Sequence, residues 1–135
     1  MRLLIVDDSS IMRRIIEKNL NEYDIQIIGM AADGDEALKL VRAKMPDVIT
    51  LDITMPGMNG LACLDEIIKI HPKTKVMIIT ALSDKLTGLK ALDKGARGFL
   101  YKPVNAQDLA KAFDRLLKRP GPNRGAGIRD SARRQ

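Results

Sequence analysis

Two kinds of apolar pattern alternate along this chain. Unbroken runs at Leu3–Val6, Ile25–Ala31, Val48–Leu51, Val76–Ile79 and Gly98–Tyr101 are bounded by acids, hydroxyl residues, Gly or Pro. Runs of that length and β-branched content predict strands buried on both faces of a parallel sheet. Between them, apolar residues recur at three- and four-residue spacing and predict helices. The sets are Ile11, Met12, Ile15, Ile16, Leu20; then Ala37, Leu38, Val41, Met45; then Leu61, Leu64, Ile67, Ile68; and last Leu109, Ala112, Phe113, Leu116, Leu117. Ser9–Ser10, Asp33, Asn59 and Asn105 stand where N-caps belong, and Asp33 with Glu36 has the form of a capping box. Pro46 and His71–Pro72 stop the second and third helices. A fourth helix, from about Leu86 to Lys94, is the weakest because Thr87 and Gly88 lower its propensity, and Gly95 is its expected C′ residue.

Strand and helix alternate five times, which predicts an α/β fold: an open, doubly wound parallel sheet with helices on both faces. Right-handed crossovers then bring every strand-to-helix loop to one edge, where such folds bind ligands.

Composition changes this picture little. The 135 residues suit one domain. The single cysteine, Cys63, falls in a helical pattern and reads as a small packed hydrophobe. His71 is the only histidine, so a histidine-based metal cage is excluded. Met55 and Met58 read as loop packing. Neither a signal peptide nor a long apolar span is evident, so the expectation is a cytoplasmic protein with no membrane insertion. The net charge of +6 is mostly terminal: from Arg119 onward there are five arginines against Asp130, leaving 18 basic and 16 acidic residues before it. Pro and Gly in that stretch predict a flexible basic tail over residues 119–135, following a domain of residues 1–118. A nucleic-acid contact by the tail is the minor reading of its charge.

The predicted strand ends carry the candidate chemistry. Asp7 and Asp8 follow the first strand, Asp52 the third, Thr80 the fourth and Lys102 the fifth. Three carboxylates brought together repel one another unless a hard cation or an ammonium neutralises them. Mg2+ suits such a site, since it takes oxygen ligands from one or two carboxylates together with waters and phosphate oxygens. With a lysine and a hydroxyl beside it, this arrangement fits phosphoryl transfer onto a carboxylate. Asp52 is the candidate nucleophile, Lys102 offsets charge on the phosphoryl oxygens, and Thr80 can hydrogen-bond one of them.

Asp7–Asp8, Asp52 with Met55-Pro56-Gly57-Met58-Asn59-Gly60, Thr80–Ala81 and Lys102–Pro103 together resemble the motif set of two-component response-regulator receiver domains. The resemblance covers about residues 1–118 and is greatest to stand-alone chemotaxis regulators of the CheY type. It implies a flavodoxin-like (βα)5 sheet of order 2-1-3-4-5, with Asp52 phosphorylated by a histidine kinase. It also implies Mg2+ held by Asp8, Asp52 and the Thr54 carbonyl, with Asp7 acting mainly through water. A cis Lys102–Pro103 bond, Thr80 and Phe99 as a switch pair, and a downstream effector on the surface of the fourth helix, fifth strand and fifth helix follow from the resemblance alone.

Departures from the family pattern bear on rate and output. Phe99 lacks the hydroxyl frequent at its position, and Val104 replaces a frequent phenylalanine. Thr54 and Leu82, where the family tunes water access, carry no charge. The alternatives are the receiver part of a longer DNA-binding regulator, and an aspartate-nucleophile phosphohydrolase of haloacid-dehalogenase type. The latter expects an acid at position 54, where this chain has threonine. The leading reading is therefore a signalling switch with no enzymatic activity beyond its own phosphorylation and dephosphorylation.

Overall fold

A computed structural model describes residues 1–20, 23–55 and 59–117. Five strands and five helices alternate: β1 (Arg2–Val6), α1 (Ser10–Asn19), β2 (Gln26–Ala31), α2 (Gly34–Lys44), β3 (Val48–Asp52), α3 (Gly60–Ile70), β4 (Lys75–Ala81), α4 (Lys85–Asp93), β5 (Gly98–Lys102) and α5 (Ala106–Leu117). All strand pairs are parallel, in the order β2-β1-β3-β4-β5. This is the flavodoxin-like sheet that the family resemblance implied.

Alternation along each strand divides the core in two. Leu4, Val6, Ile49, Leu51, Val76 and Ile78 face α2, α3 and α4. Leu3, Ile5, Val48, Met77 and Ile79 face α1 and α5, with Phe113 fully buried among them. Both faces of the sheet are covered, so β3 is buried at every residue. Among the described residues, no helix is long and apolar enough to cross a membrane.

Local chemistry ends most helices where expected. Ser9 Oγ accepts from Met12 N, Asn59 Oδ1 from Leu61 N, and Asn105 Oδ1 from Asp108 N. Asp33 caps α2 through Glu36 N, but Glu36 reaches back to Ala32 N at 2.9 Å, one residue earlier than a capping box requires. Gly95, with φ of +116°, follows α4 in a conformation that glycine adopts freely.

Other expectations need correction. Ile11 is 71% exposed and Met45 42% exposed, so neither belongs to the core. Ile11 sits in the first turn of α1, on the side away from the sheet, while Leu20 closes the helix and is buried. Met45 leaves the helix as a left-handed C-cap, φ 47°, which turns its side chain off the buried stripe. The fourth helix begins one residue early, preceded by a 3-10 turn at Leu82–Asp84, and Thr87 Oγ1 donates to the Asp84 carboxylate there. Pro56, Gly57, Met58 and the basic tail lie outside the described residues.

One buried polar group stands out. Thr50 is fully buried on β3, in register with Ile5 and Met77, and its hydroxyl has no hydrogen-bond partner among the described residues. An unpaired buried hydroxyl costs about 1–3 kcal/mol. Thr50→Val is therefore expected to raise stability by roughly 1 kcal/mol, read as a higher urea midpoint at unchanged slope.

Candidate functional site

The C-terminal edge of the sheet collects the predicted residues because parallel strands all end on the same side. Asp7 follows β1 directly, Asp52 closes β3, and Lys102 closes β5. Asp7 and Asp52 are fully buried, while Asp8 is exposed. One carboxylate oxygen from each of the three acids lies within 4.8 Å of the others.

Each buried acid is held by named donors. The Asp52 Oδ1 atom accepts from Thr54 N at 2.9 Å and from Thr54 Oγ1 at 2.7 Å, while its Oδ2 accepts from Lys102 Nζ at 2.8 Å. Asp7 Oδ1 accepts from Ser9 N at 2.9 Å. Lys102 Nζ is 3.5 Å from Asp7 Oδ2, beyond a good hydrogen bond, and that buried oxygen has no hydrogen-bond partner among the described residues. A buried carboxylate oxygen facing two other carboxylates has the donor chemistry that a hard cation takes.

The two acids respond oppositely to this environment. Burial pushes the Asp7 carboxyl above its usual range, and the negative charges of Asp52 and Asp8 add to it, against the opposing Ser9 amide and Lys102. Burial would raise Asp52 too, but the Lys102 hydrogen bond, the two Thr54 hydrogen bonds and the lysine charge together hold it below the usual range. For Lys102, desolvation is outweighed by Asp52, Asp7 and Asp8, and the ammonium is held above its ordinary value. One nearly naked acid thus sits beside one firmly ionised acid.

These shifts fix the sign of a stability effect. A carboxylate whose folded-state pKa is raised opposes folding above that pKa, and its penalty vanishes as pH falls through it. In metal-free buffer at pH 7, Asp7→Asn is expected to raise Tm relative to wild type, the advantage disappearing on acidification. The same change should weaken Mg2+ binding roughly ten- to hundredfold, measured by calorimetric titration. Unchanged Mg2+ affinity would remove Asp7 from the ligand set.

Thr80 and Phe99 are placed less directly. Thr80 is fully buried one residue before the end of β4, and its hydroxyl donates to the Ala81 carbonyl at 3.4 Å, not to the three carboxylates. Phe99 is half-buried on β5 and packs against the α2–α3–α4 core. A Cβ built on Gly88 of α4 would lie 3.5 Å from Thr80 Cγ2 and 3.7 Å from Phe99 Cδ2, so α4 rests over both residues. The Lys102–Pro103 bond is cis, as the resemblance implied. Cys63 is buried, with its thiol raised to about 11, first by burial and then by Asp35, as befits an unreactive packed sulfur.

Two residues near the site, Arg13 and Tyr101, were given no role from sequence, and a third, Gly60, entered only as part of the loop motif. Arg13 Nη1 donates to the Asp7 carbonyl at 2.6 Å and pins the β1–α1 loop. Tyr101 is in register with Thr80 and stacks edge-on against Phe99, ring centroids 5.2 Å apart. Gly60 starts α3 against the Ile53 backbone. For Gly60, its place in the loop motif was a signal. Arg13 and Tyr101 had none, since their partners are set by a loop fold and a strand register.

With this geometry in view, comparison with known proteins defines the class. Residues 3–114 match the response regulator receiver domain, and the chain belongs to that family. It is therefore a receiver domain of a two-component system. It is 33% identical over 117 residues to the chemotaxis protein CheY of Thermotoga maritima, spanning 87% of this chain and 98% of that protein. A protein-glutamate methylesterase/protein-glutamine glutaminase of Caldanaerobacter subterraneus is 48% identical over 105 residues, which is 76% of this chain but only 28% of that longer protein. Among solved structures, the CheX–CheY–BeF3–Mg complex from Borrelia burgdorferi superposes with a TM-score of 0.77 at 35% identity, covering 86% of each chain.

Receiver domains bind Mg2+ and interact with kinases and downstream effectors. The donor set here fits such an ion. Three hard carboxylate oxygens converge, and one is buried without a hydrogen bond among the described residues.

Proposed function

We propose that Asp52 is the phosphoacceptor of a CheY-like signalling switch working in the cytoplasm. The observation that carries this reading is the Asp52 carboxylate itself: buried, held ionised by Lys102 and Thr54, and set among the acids Asp7 and Asp8. In the transfer, an Asp52 oxygen attacks phosphorus of a phosphohistidine on a partner kinase. The N–P bond breaks, the imidazole leaves with the electron pair and takes up a proton, and an acyl phosphate remains on Asp52. Asp7, Asp8, Asp52 and the Thr54 carbonyl would hold Mg2+, which supplies charge neutralisation at the phosphoryl oxygens.

Lys102 already lies 2.8 Å from Asp52 Oδ2 and is placed to follow negative charge onto the phosphoryl group. Thr80 is one register step from Lys102 on the neighbouring strand, and its hydroxyl, now on a weak 3.4 Å bond, is free to exchange that partner for a phosphoryl oxygen. Thr80 and Phe99 share the space beneath α4, so their movement would alter the α4-β5-α5 surface offered to an effector. Phosphorylation changes output only insofar as the phosphate favours one arrangement of that surface over the other. Hydrolysis resets the switch with no charged help from Thr54 or Leu82.

Incubation with acetyl phosphate and Mg2+ should label the protein with one phosphoryl group per chain, sensitive to hydroxylamine and absent in EDTA. Asp52→Asn should abolish the label, and persistence of label in that variant would refute the assignment. Multiple turnover of p-nitrophenyl phosphate would instead favour the phosphohydrolase reading. A second reading, use as the receiver part of a longer protein, is favoured by the 48% match to a segment of the methylesterase. Whether the basic tail contacts DNA is tested by a salt-dependent gel shift with and without residues 119–135.

A further inference from the structure

We propose that the open edge of β5 receives an extended, acidic segment of a partner protein as a sixth strand of the sheet. The inference rests on the reading of the α4-β5-α5 face as the output surface, and names what binds there and how. Among the described residues β5 ends the sheet and pairs with β4 alone, so the backbone groups on its outer side have no strand partner there. All five of its residues are half-buried. Two cavities, of about 480 and 270 Å3, run beside it and share Phe99, Tyr101, Ala112 and Arg115. Through these shared residues they adjoin as one trough lined by β5, α5 and Leu92 of α4.

The lining selects the guest. Arg97, Lys111 and Arg115 are exposed along the trough, and none of them forms an ion pair among the described residues. The one acid in the lining, Asp108, is already engaged by the Asn105 side-chain amide at 3.0 Å. Apolar surface is supplied by the Phe99–Tyr101 pair and by Leu92, and the small Ala112 leaves room for a backbone.

Charge disfavours two other occupants. A second copy of this chain would bring a further Arg97, Lys111 and Arg115 to the trough against a single lining acid, Asp108, from each copy. The C-terminal stretch from Arg119, five arginines against one aspartate, would be repelled as well. A strand added at this edge points its side chains alternately to the two faces of the sheet. Apolar residues are therefore expected on the Phe99 and Tyr101 side, and Glu or Asp on the Lys111 and Arg115 side.

The test selects a random octapeptide library on the full chain, with and without acetyl phosphate and Mg2+, and counter-selects on a Lys111→Glu/Arg115→Glu variant. Enriched peptides should alternate acidic with apolar residues, lose at least tenfold in affinity for the charge-reversed variant, and lose as much on N-methylation of alternate backbone amides. Basic or amphipathic helical peptides, or no enrichment over the variant, would overturn the proposal, as would indifference to N-methylation. Asp52 labelling is measured in the same samples. Normal labelling without selective peptides defeats only the trough, whereas absent labelling defeats the phosphoacceptor reading.

Discussion

Lys102→Ala should cost more stability than any other single change at the site, and slow its chemistry as well. The ammonium is the only cation against Asp52 and Asp7 among the described residues, at 2.8 and 3.5 Å. Removing one partner of a buried pair costs roughly 3–5 kcal/mol, and the upper part of that range is not expected here because the Lys102 side chain is 25% exposed. Its pH dependence has a defined shape. Asp52, held below 3.8, contributes stability that is present above 3.8 and lost as pH falls through its folded value. Lys102, held above 10.5, contributes stability that is present below 10.5 and lost as pH rises through its folded value.

The gap in Tm between wild type and Lys102→Ala should therefore be widest between those limits and close in acid. Without the lysine, burial and Asp7 raise Asp52, so the variant gains stability on acidification where wild type loses it. Mg2+ should stabilise the variant more than wild type, since the ion then carries the whole burden of neutralisation. Phosphorylation by acetyl phosphate should slow by roughly 100-fold. A variant with wild-type stability at pH 7 and no extra response to Mg2+ would show that the pair contributes nothing in solution.

Gly60→Ala is the second large effect, and it acts through shape alone. A Cβ at Gly60 would fall 2.6 Å from both Cα and O of Ile53 and 2.7 Å from its Cβ. Two of these atoms are backbone, so no side-chain rotation relieves the clash, and the start of α3 must move away from the end of β3. The cost is expected near 3 kcal/mol, or roughly 10 °C in Tm. Ile53 lies between Asp52 and Thr54, so the shift reaches the two hydrogen bonds from Thr54 to Asp52. Labelling at a temperature where the variant is folded should fall at least tenfold. Gly88→Ala is the control. Its Cβ meets only ordinary contacts at 3.5 Å and beyond, and an alanine in a helix interior is worth roughly 0.5–1 kcal/mol over glycine. Equal losses in both variants would mean that the Gly60 contact is not what matters.

The strands and the caps were legible because each depends on short-range chemistry. The apolar run Val48–Leu51, closed by an acid and a Pro/Gly loop, reads as a strand, and Asn59 or Asn105 caps the helix beside it. The gathering of Asp7, Asp8, Asp52 and Lys102 followed from one topological rule, that parallel strands end on one edge. Periodicity was a poorer guide at helix ends. Ile11 and Met45 fit the spacing of their helices, but a first turn and a left-handed cap point such residues away from the sheet.

Sequence by itself thus determined the order of elements, the open α/β class and the residues that can do chemistry at its loop edge, since patterning and capping act over a few residues. Only the tertiary structure decided how those residues divide the work. Lys102 sits closer to Asp52 than to Asp7, Arg13 holds the Asp7 carbonyl, Tyr101 falls beside Thr80, and Gly60 admits the α3 backbone against Ile53. The Lys102 and Tyr101 placements join strands distant in sequence, and those of Arg13 and Gly60 depend on how a strand-to-helix loop folds back on its strand end, so all four are set by packing of the sheet and its helices.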